Sequence, residues 1–258
     1  MKAAVFEKIG QLTIKEVETP VCPPNGILIK VEACAICGTD VKVFHFGHRY
    51  IHPPRVTGHE LAGAIVQVGS ELEGFQVGNK ITVAPAIPCG RCYYCRKGMQ
   101  NRCDDLAAIG YHYDGGFAEY MVVPPQAIVN DCVNIIPENL TYEEATLTEP
   151  LACAINCQEI SNVKLGDTVV VIGAGPLGSL QAELAKCLGA LKVILVDISS
   201  DRLKLSERAG SDLYIDASKQ NPVEAVLEET GGRGAEVVIT ACSSGKAHEQ
   251  ALEMVGKK

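Results

Sequence analysis

The chain has 258 residues, 47% of them hydrophobic, which supplies cores for one large domain or two ordinary ones and excludes a disordered chain. Its 23 basic against 31 acidic residues leave a formal charge of -8, which repels phosphate backbones and anionic headgroups and argues against nucleic-acid and membrane partners. MKAAVFEKIG holds no signal-peptide core and no apolar stretch reaches membrane-spanning length, so the twelve cysteines of an unexported, cytoplasmic chain read as thiols and metal ligands rather than a disulfide framework.

Up to about residue 135, turn residues such as Pro23, Pro24, Gly26, Gly74, Gly78, Gly115 and Gly116 break the chain into short strands. Leu12 and Ile14 alternate with polar neighbours, as do Ile27, Ile29 and Val31, and Ala64 to Val68 and Ile81 to Val83 add apolar segments. A compact β-rich barrel or sandwich follows. Thr141 and Glu144 then form a T-x-x-E capping box, which predicts a helix of about twenty residues running to about Ile160. Thr168 to Ile172 reads as a buried strand, followed by a helix with a Leu177, Leu180, Leu184, Leu188 stripe ending at Gly189. Strands at Lys192 to Val196, Leu213 to Ile215 and Glu236 to Thr240 alternate with helices at Arg202 to Ala209, Val223 to Glu229 and Ala247 to Val255. That alternation is the pattern of a parallel sheet.

Gly173-Ala174-Gly175-Pro176-Leu177-Gly178 matches G-x-G-x-x-G between a strand and a helix, with Asp197 nineteen positions after the last glycine at the end of the next strand. Gly173 allows the tight turn, Gly175 lets the backbone approach a pyrophosphate, and Gly178 lets helix pack on strand. The helix N-terminus offers unpaired N–H groups to the phosphates. Asp197 is placed to accept from the adenosine ribose hydroxyls and to repel a 2'-phosphate, which favours NAD over NADP, while Arg202 nearby keeps NADP open.

Cys89, Cys92, Cys95 and Cys103 are spaced C-x2-C-x2-C-x7-C, which lets four thiolates close a tetrahedral structural zinc site with no position left for substrate. The spacing is similar to the ferredoxin run but lacks its C-x3-C-P end. Three more groups have ligand chemistry: Cys37 in Cys37-Gly38-Thr39-Asp40, His59-Glu60 after Gly58, and Glu149 before Pro150. Singly, each also fits a buried thiol, a hydrogen-bonded histidine or a solvated acid. Cys34-x-x-Cys37 also admits reading as a redox pair, which strand alternation disfavours.

In combination and in this order, Cys37-Gly38-Thr39-Asp40, Gly58-His59-Glu60, the four-cysteine lobe, Glu149-Pro150 and the dinucleotide turn resemble the zinc-dependent medium-chain dehydrogenase/reductase family. Glu60 after the histidine and Glu149-Pro150 point to its polyol (sorbitol, L-iditol) dehydrogenase branch; threonine and phosphorylated-polyol dehydrogenases carry similar motifs. The resemblance implies a GroES-like, β-rich, zinc-containing catalytic domain over 1–150, a partial Rossmann NAD-binding domain over 151–258 with strands one to four only, and a cleft between them holding the catalytic zinc. It makes Cys37 and His59 firm ligands of that zinc, Glu60 and Glu149 exchangeable ones, Asp40 the acceptor that orients His59, and Thr39 the hydroxyl that touches the substrate oxygen. Lys42 stands where many relatives continue the proton relay with a histidine.

The activity so implied is NAD-linked oxidation of a secondary alcohol, with polyols the substrates that the resemblance implies and zinc as Lewis acid. Small-molecule alcohol substrates and a homo-oligomer are the partners expected. The chain ends 80 residues after Gly178, short of a six-stranded fold, so a truncated dehydrogenase with an unprotected edge at Glu236 to Thr240 is expected. A truncated, catalytically inactive zinc-binding protein is therefore the alternative, and a zinc-free quinone reductase of the same superfamily is opposed by the ligand residues.

Overall fold

The computed structural model describes residues 1–257 and comprises two compact units, Met1–Glu149 and Pro150–Lys258. In the first, strands β1 (Lys2–Lys8), β2 (Gln11–Glu16) and β4 (Arg55–Val56) form a three-stranded sheet in the order β2-β1-β4. Strands β3 (Ile27–Ala35), β5 (Glu60–Val68), β6 (Lys80–Val83), β9 (Tyr120–Val123) and β10 (Val133–Ile135) form an antiparallel sheet in the order β10-β6-β5-β3-β9. Its core gathers Ile27, Ile29, Leu61, Ile65, Ile81, Met121 and Val123, and full burial of each such side chain contributes about 1.5–3 kcal/mol. Ile27 and Ile29 bury as their alternation implies, whereas Leu12 and Ile14 on outer strand β2 are 46% and 69% exposed.

A two-stranded ladder of β7 (Ala86–Ile87) and β8 (Ala107–Ala108) closes the base of the cysteine lobe, which carries the short helix α2 (Tyr93–Arg96). Helix α1 (Gly38–Phe46) follows β3, and α3 (Pro125–Val129) precedes β10.

The predicted long helix after Thr141 is two helices, α4 (Tyr142–Ala145) and α5 (Thr148–Ser161). The capping box is present: the Thr141 N–H donates to Glu144 Oε2 at 2.8 Å and the Glu144 N–H to Thr141 Oγ1 at 3.1 Å. The break falls where the backbone tightens: the Leu147 N–H donates to the Glu144 carbonyl, three residues back, at 3.1 Å, and the buried Thr146 hydroxyl donates to the Glu143 carbonyl at 2.7 Å. Asn162, left-handed at φ 55°, stops α5.

In the second unit, β11 (Thr168–Ile172), β12 (Lys192–Asp197), β13 (Leu213–Asp216) and β14 (Val237–Thr240) are parallel in the order β13-β12-β11-β14. This is the 3-2-1-4 order of a doubly wound fold. Helices α6 (Pro176–Cys187), α7 (Ser200–Leu205), α8 (Pro222–Glu229) and α9 (Gly245–Met254) connect or follow the strands. Val169 and Val171 of β11 enter one core with Ala182 and Ala185, while Val170 and Ile172 enter a second with Val226 and Met254. Such two-sided burial explains the unbroken apolar run of β11.

The leucine stripe of α6 is not its buried face. Gly178, Gln181, Ala182 and Ala185 face the core, and Leu177 and Leu188 are 38% and 44% exposed. Close helix–sheet approach selects small residues, since a Cβ at Gly178 would lie 1.7 Å from the Gly173 carbonyl oxygen. No helix among the described residues is long and apolar enough to cross a membrane.

Candidate metal centre, cysteine lobe and dinucleotide turn

The antiparallel register of β3 and β5 ends at the pair Ala35 and Glu60, so Cys37 and His59, just outside that pair, fall at the same end of the sheet. Gly58 makes this possible, with φ 92° and with space for a Cβ closed by Phe117 and the Cys34 sulfur at 2.8 and 2.9 Å. Cys37 Sγ, a His59 ring nitrogen and a Glu60 carboxylate oxygen all lie within 4.8 Å of one another, and His59 and Glu60 are buried. Glu149, half-buried in the first turn of α5, is not in that cluster, although its charge acts on both His59 and Tyr111.

Asp40 sits on α1, where its carboxylate accepts the Cys37 N–H at 2.9 Å. Its other oxygen is 3.8 Å from His59 Nδ1, too long for a hydrogen bond yet close enough for charge attraction. Burial pushes the Asp40 carboxyl above its ordinary range, against the Cys37 hydrogen bond and the His59 charge. Burial also disfavours a charged His59, but its hydrogen bond to Cys37 and the charges of Asp40, Cys37 and Glu149 outweigh that and raise it. Acid groups and a thiol gathered out of water are short of positive charge. Sulfur, imidazole nitrogen and carboxylate oxygen are the donors zinc takes, so the residues fit that ion. Cys34 packs against the core of the larger sheet, and burial pushes its thiol up to about 12, so it is not itself a thiolate near neutrality.

Thr39, half-buried on α1, interacts through its side chain with the Tyr111 hydroxyl. The Tyr111 ring lies 6.1 Å from that of His59 and packs on Phe6, Val43 and Ile51. Sequence reasoning missed Tyr111, because a tyrosine in a loop carries no ligand spacing and only the fold brings it to residues 37–40.

In the lobe, Cys89, Cys92, Cys95 and Cys103 also place their sulfurs within 4.8 Å of one another, with Cys92 3.4 Å from Cys95 and 3.8 Å from Cys103. A tetrahedron with Zn–S bonds of about 2.3 Å has edges of about 3.8 Å, so the spacing fits. Backbone N–H groups aim at the sulfurs: Cys89 and Asp105 donate to Cys103 at 3.2 and 3.4 Å, and Cys95 to Cys92 at 3.5 Å. Such bonds, from Cys95 and Asp104 foremost, lower the Cys92 thiol to about 6, while desolvation among its neighbours raises Cys95 to about 12.

In the second unit, Gly173 has φ 114° and the Ala241 carbonyl 2.9 Å from where a Cβ would sit, so turn and packing both demand glycine there. Gly175 differs. It caps α6 at φ −79°, a conformation open to any residue, and a Cβ there would meet nothing within 4 Å. The protein itself does not require that glycine; the space lies over the helix N-terminus, where Pro176 and Leu177 begin α6 and a phosphate would sit. Asp197 is buried at the end of β12, its carboxylate accepting the Ala174 N–H at 2.7 Å and the Ser199 N–H at 2.8 Å. Lone pairs remain for ribose hydroxyls. Arg202 is exposed in the first turns of α7.

Two family models match, the alcohol dehydrogenase GroES-like domain over residues 23–136 and the zinc-binding dehydrogenase over 176–258. The chain is 37% identical over 243 residues to L-threonine 3-dehydrogenase of Pyrococcus furiosus, spanning 93% of this chain and 68% of that protein. It is 32% identical over 259 residues to sorbitol dehydrogenase of Bacillus subtilis, with 99% and 72% covered. A zinc-binding dehydrogenase from Sinorhizobium meliloti, solved bound to NADP, superposes with a TM-score of 0.92 at 36% identity over 99% of this chain and 73% of that one. The β-rich unit with its two zinc-type ligand clusters and the parallel-sheet unit with its dinucleotide turn therefore belong to one lineage: the chain is a member of the zinc-dependent medium-chain dehydrogenase family, whose cofactors are zinc and NAD(P).

Proposed function

We propose that the chain catalyses NAD-linked oxidation of a secondary alcohol of the polyol class, with Cys37 and His59 as firm ligands of a catalytic zinc and Glu60 and Glu149 as exchangeable ones. The observation that carries this reading is the convergence of Cys37, His59 and Glu60, three donors of different chemistry, within 4.8 Å in a buried site. When bound, zinc supplies Lewis acidity at the alcohol oxygen and NAD supplies the hydride acceptor. The Thr39 hydroxyl would accept the proton leaving the alcohol oxygen while releasing its own outward to water. Tyr111, its ring tilted at 6.1 Å from that of buried His59, lines the same site. Cys89, Cys92, Cys95 and Cys103 hold a structural zinc. The N–H groups at the start of α6, with Gly173, Gly175, Pro176, Leu177 and Gly178 shaping the approach, seat the pyrophosphate. Asp197 takes the ribose hydroxyls and disfavours a 2'-phosphate, and Arg202, exposed on α7 shortly after it, is a cation that would offset this.

The relatives named L-threonine 3-dehydrogenase favour a second reading, with the secondary hydroxyl of threonine as substrate. NADH formation by the 258-residue chain, carrying two zincs, is to be followed with sorbitol, xylitol, L-threonine and simple secondary alcohols. Turnover of a polyol is expected. Turnover of threonine alone transfers the assignment to the second reading, and no turnover with any of them leaves a zinc-binding protein without this activity.

A further inference from the structure

Ala174, in the middle of the glycine turn, is held through both of its backbone groups, one in the peptide before it and one in the peptide after it. Its N–H donates to Asp197 Oδ2 at 2.7 Å, and its carbonyl accepts from the Ser206 hydroxyl at 3.0 Å. Ser206 is buried in the turn that follows α7. Its hydroxyl also lies 2.9 Å from the Arg202 carbonyl and accepts from the Ser179 hydroxyl of α6 at 3.0 Å. A single proton serves two carbonyls, so Ser206 donates to either while accepting from Ser179. The bond to Arg202, four residues back, is ordinary for a helical serine. The bonds to Ala174 and Ser179 are not local; they tie the turn and the first turn of α6 to α7. Ala174 stands between two glycines, the residues with most backbone freedom to lose, so the direction of the N–H groups beside it has to be fixed from outside the turn.

We infer that Ser206 is a positioning residue for the dinucleotide: with Asp197 it fixes the two peptide groups that meet at Ala174 and thereby sets the N–H groups onto which the pyrophosphate docks. This rests on the reading of the Gly173–Gly178 turn as the dinucleotide site. Thr230 supplies a matched control. It too is buried, and its hydroxyl bonds only within residues 226–234, to the Val226 carbonyl at 2.8 Å and from the Gly234 N–H at 3.1 Å.

NADH and ADP-ribose binding are measured on the full zinc-loaded chain and on Ser206→Ala and Thr230→Ala, together with amide exchange over residues 173–178 in the cofactor-free proteins. Loss of one hydrogen bond predicts a Kd about tenfold higher for both ligands in Ser206→Ala, with faster exchange at 173–178, and a parental Kd in Thr230→Ala. A parental Kd in Ser206→Ala, or an equal loss in Thr230→Ala, overturns the inference while leaving the turn as the cofactor site. Absence of NADH binding in the parent overturns that reading and the inference with it. Should Ser206→Ala not fold, Ser206→Cys keeps a side chain of similar shape with only a weak donor; its NADH Kd must then rise about threefold with faster exchange at 173–178, and an unchanged Kd overturns the inference.

Discussion

Asp40 and Cys34 in the first unit are shifted against ionisation, whereas Asp212 and Glu236 in the second are shifted toward it. At Cys34 and Asp40 burial prevails over the backbone hydrogen bonds that oppose it. In the second, burial opposes Asp212 but hydrogen bonds from Lys186 and the Val193 N–H overcome it, and the Thr168 N–H does the same for Glu236 at 2.7 Å. In the second unit these acids are satisfied from its own chain, whereas in the first Cys37, His59 and Glu60 form a donor set that fits a metal ion. They should therefore fail under different stresses.

The largest separation is expected on removing the structural zinc. Binding of such an ion to small zinc domains amounts to about 10–16 kcal/mol, so Cys95→Ser or strong chelation should release amide protection across residues 89–103 while leaving protection in β11 and β12. Exchange measured by mass spectrometry checks this, and simultaneous loss in both units would erase the contrast. Next, Cys37→Ser should lower zinc from two to one per chain and turnover by more than about a hundredfold, with the melting of both units near the parent's. Metal analysis beside calorimetry is the check.

Gly178→Ala acts on the second unit alone, because its Cβ would meet the Gly173 carbonyl oxygen at 1.7 Å. NADH binding should disappear and that unit lose about 1–3 kcal/mol, read by fluorescence titration and denaturant melts. The smallest effect concerns acid. Carboxyls lowered in the folded state stabilise above their ordinary range and lose that contribution as pH falls through their lowered values, so the second unit should weaken below about pH 4. The Lys186–Asp212 bond, 2.8 Å and partly exposed, contributes about 0–1 kcal/mol of this, so Asp212→Asn should blunt the acid limb slightly.

The elements whose signal is local could be read beforehand: the capping box at Thr141, the glycine turn, the four-cysteine spacing and the unbroken apolar run of β11. What escaped depends on partners far along the chain. The α6 leucine stripe has helical period, yet the sheet selects the small face beside it. Helix α1 lies hidden in the ligand motif, with Val43 its one buried residue. Ser206 lies 32 residues from Ala174, and Tyr111 reaches Thr39 only through the fold. Cys37, His59 and Glu60 were legible as residue types in the family's order, whereas their convergence needed the β3–β5 register.

The packing beneath Gly58 has a bearing on labelling chemistry. Cys34 fills that floor with a thiol held protonated far above neutrality, while Cys153 and Cys187 lie at the surface. Alkylating reagents should therefore modify the surface pair long before Cys34, and a slow rate at Cys34 would serve as a gauge of whether the floor under His59 is intact.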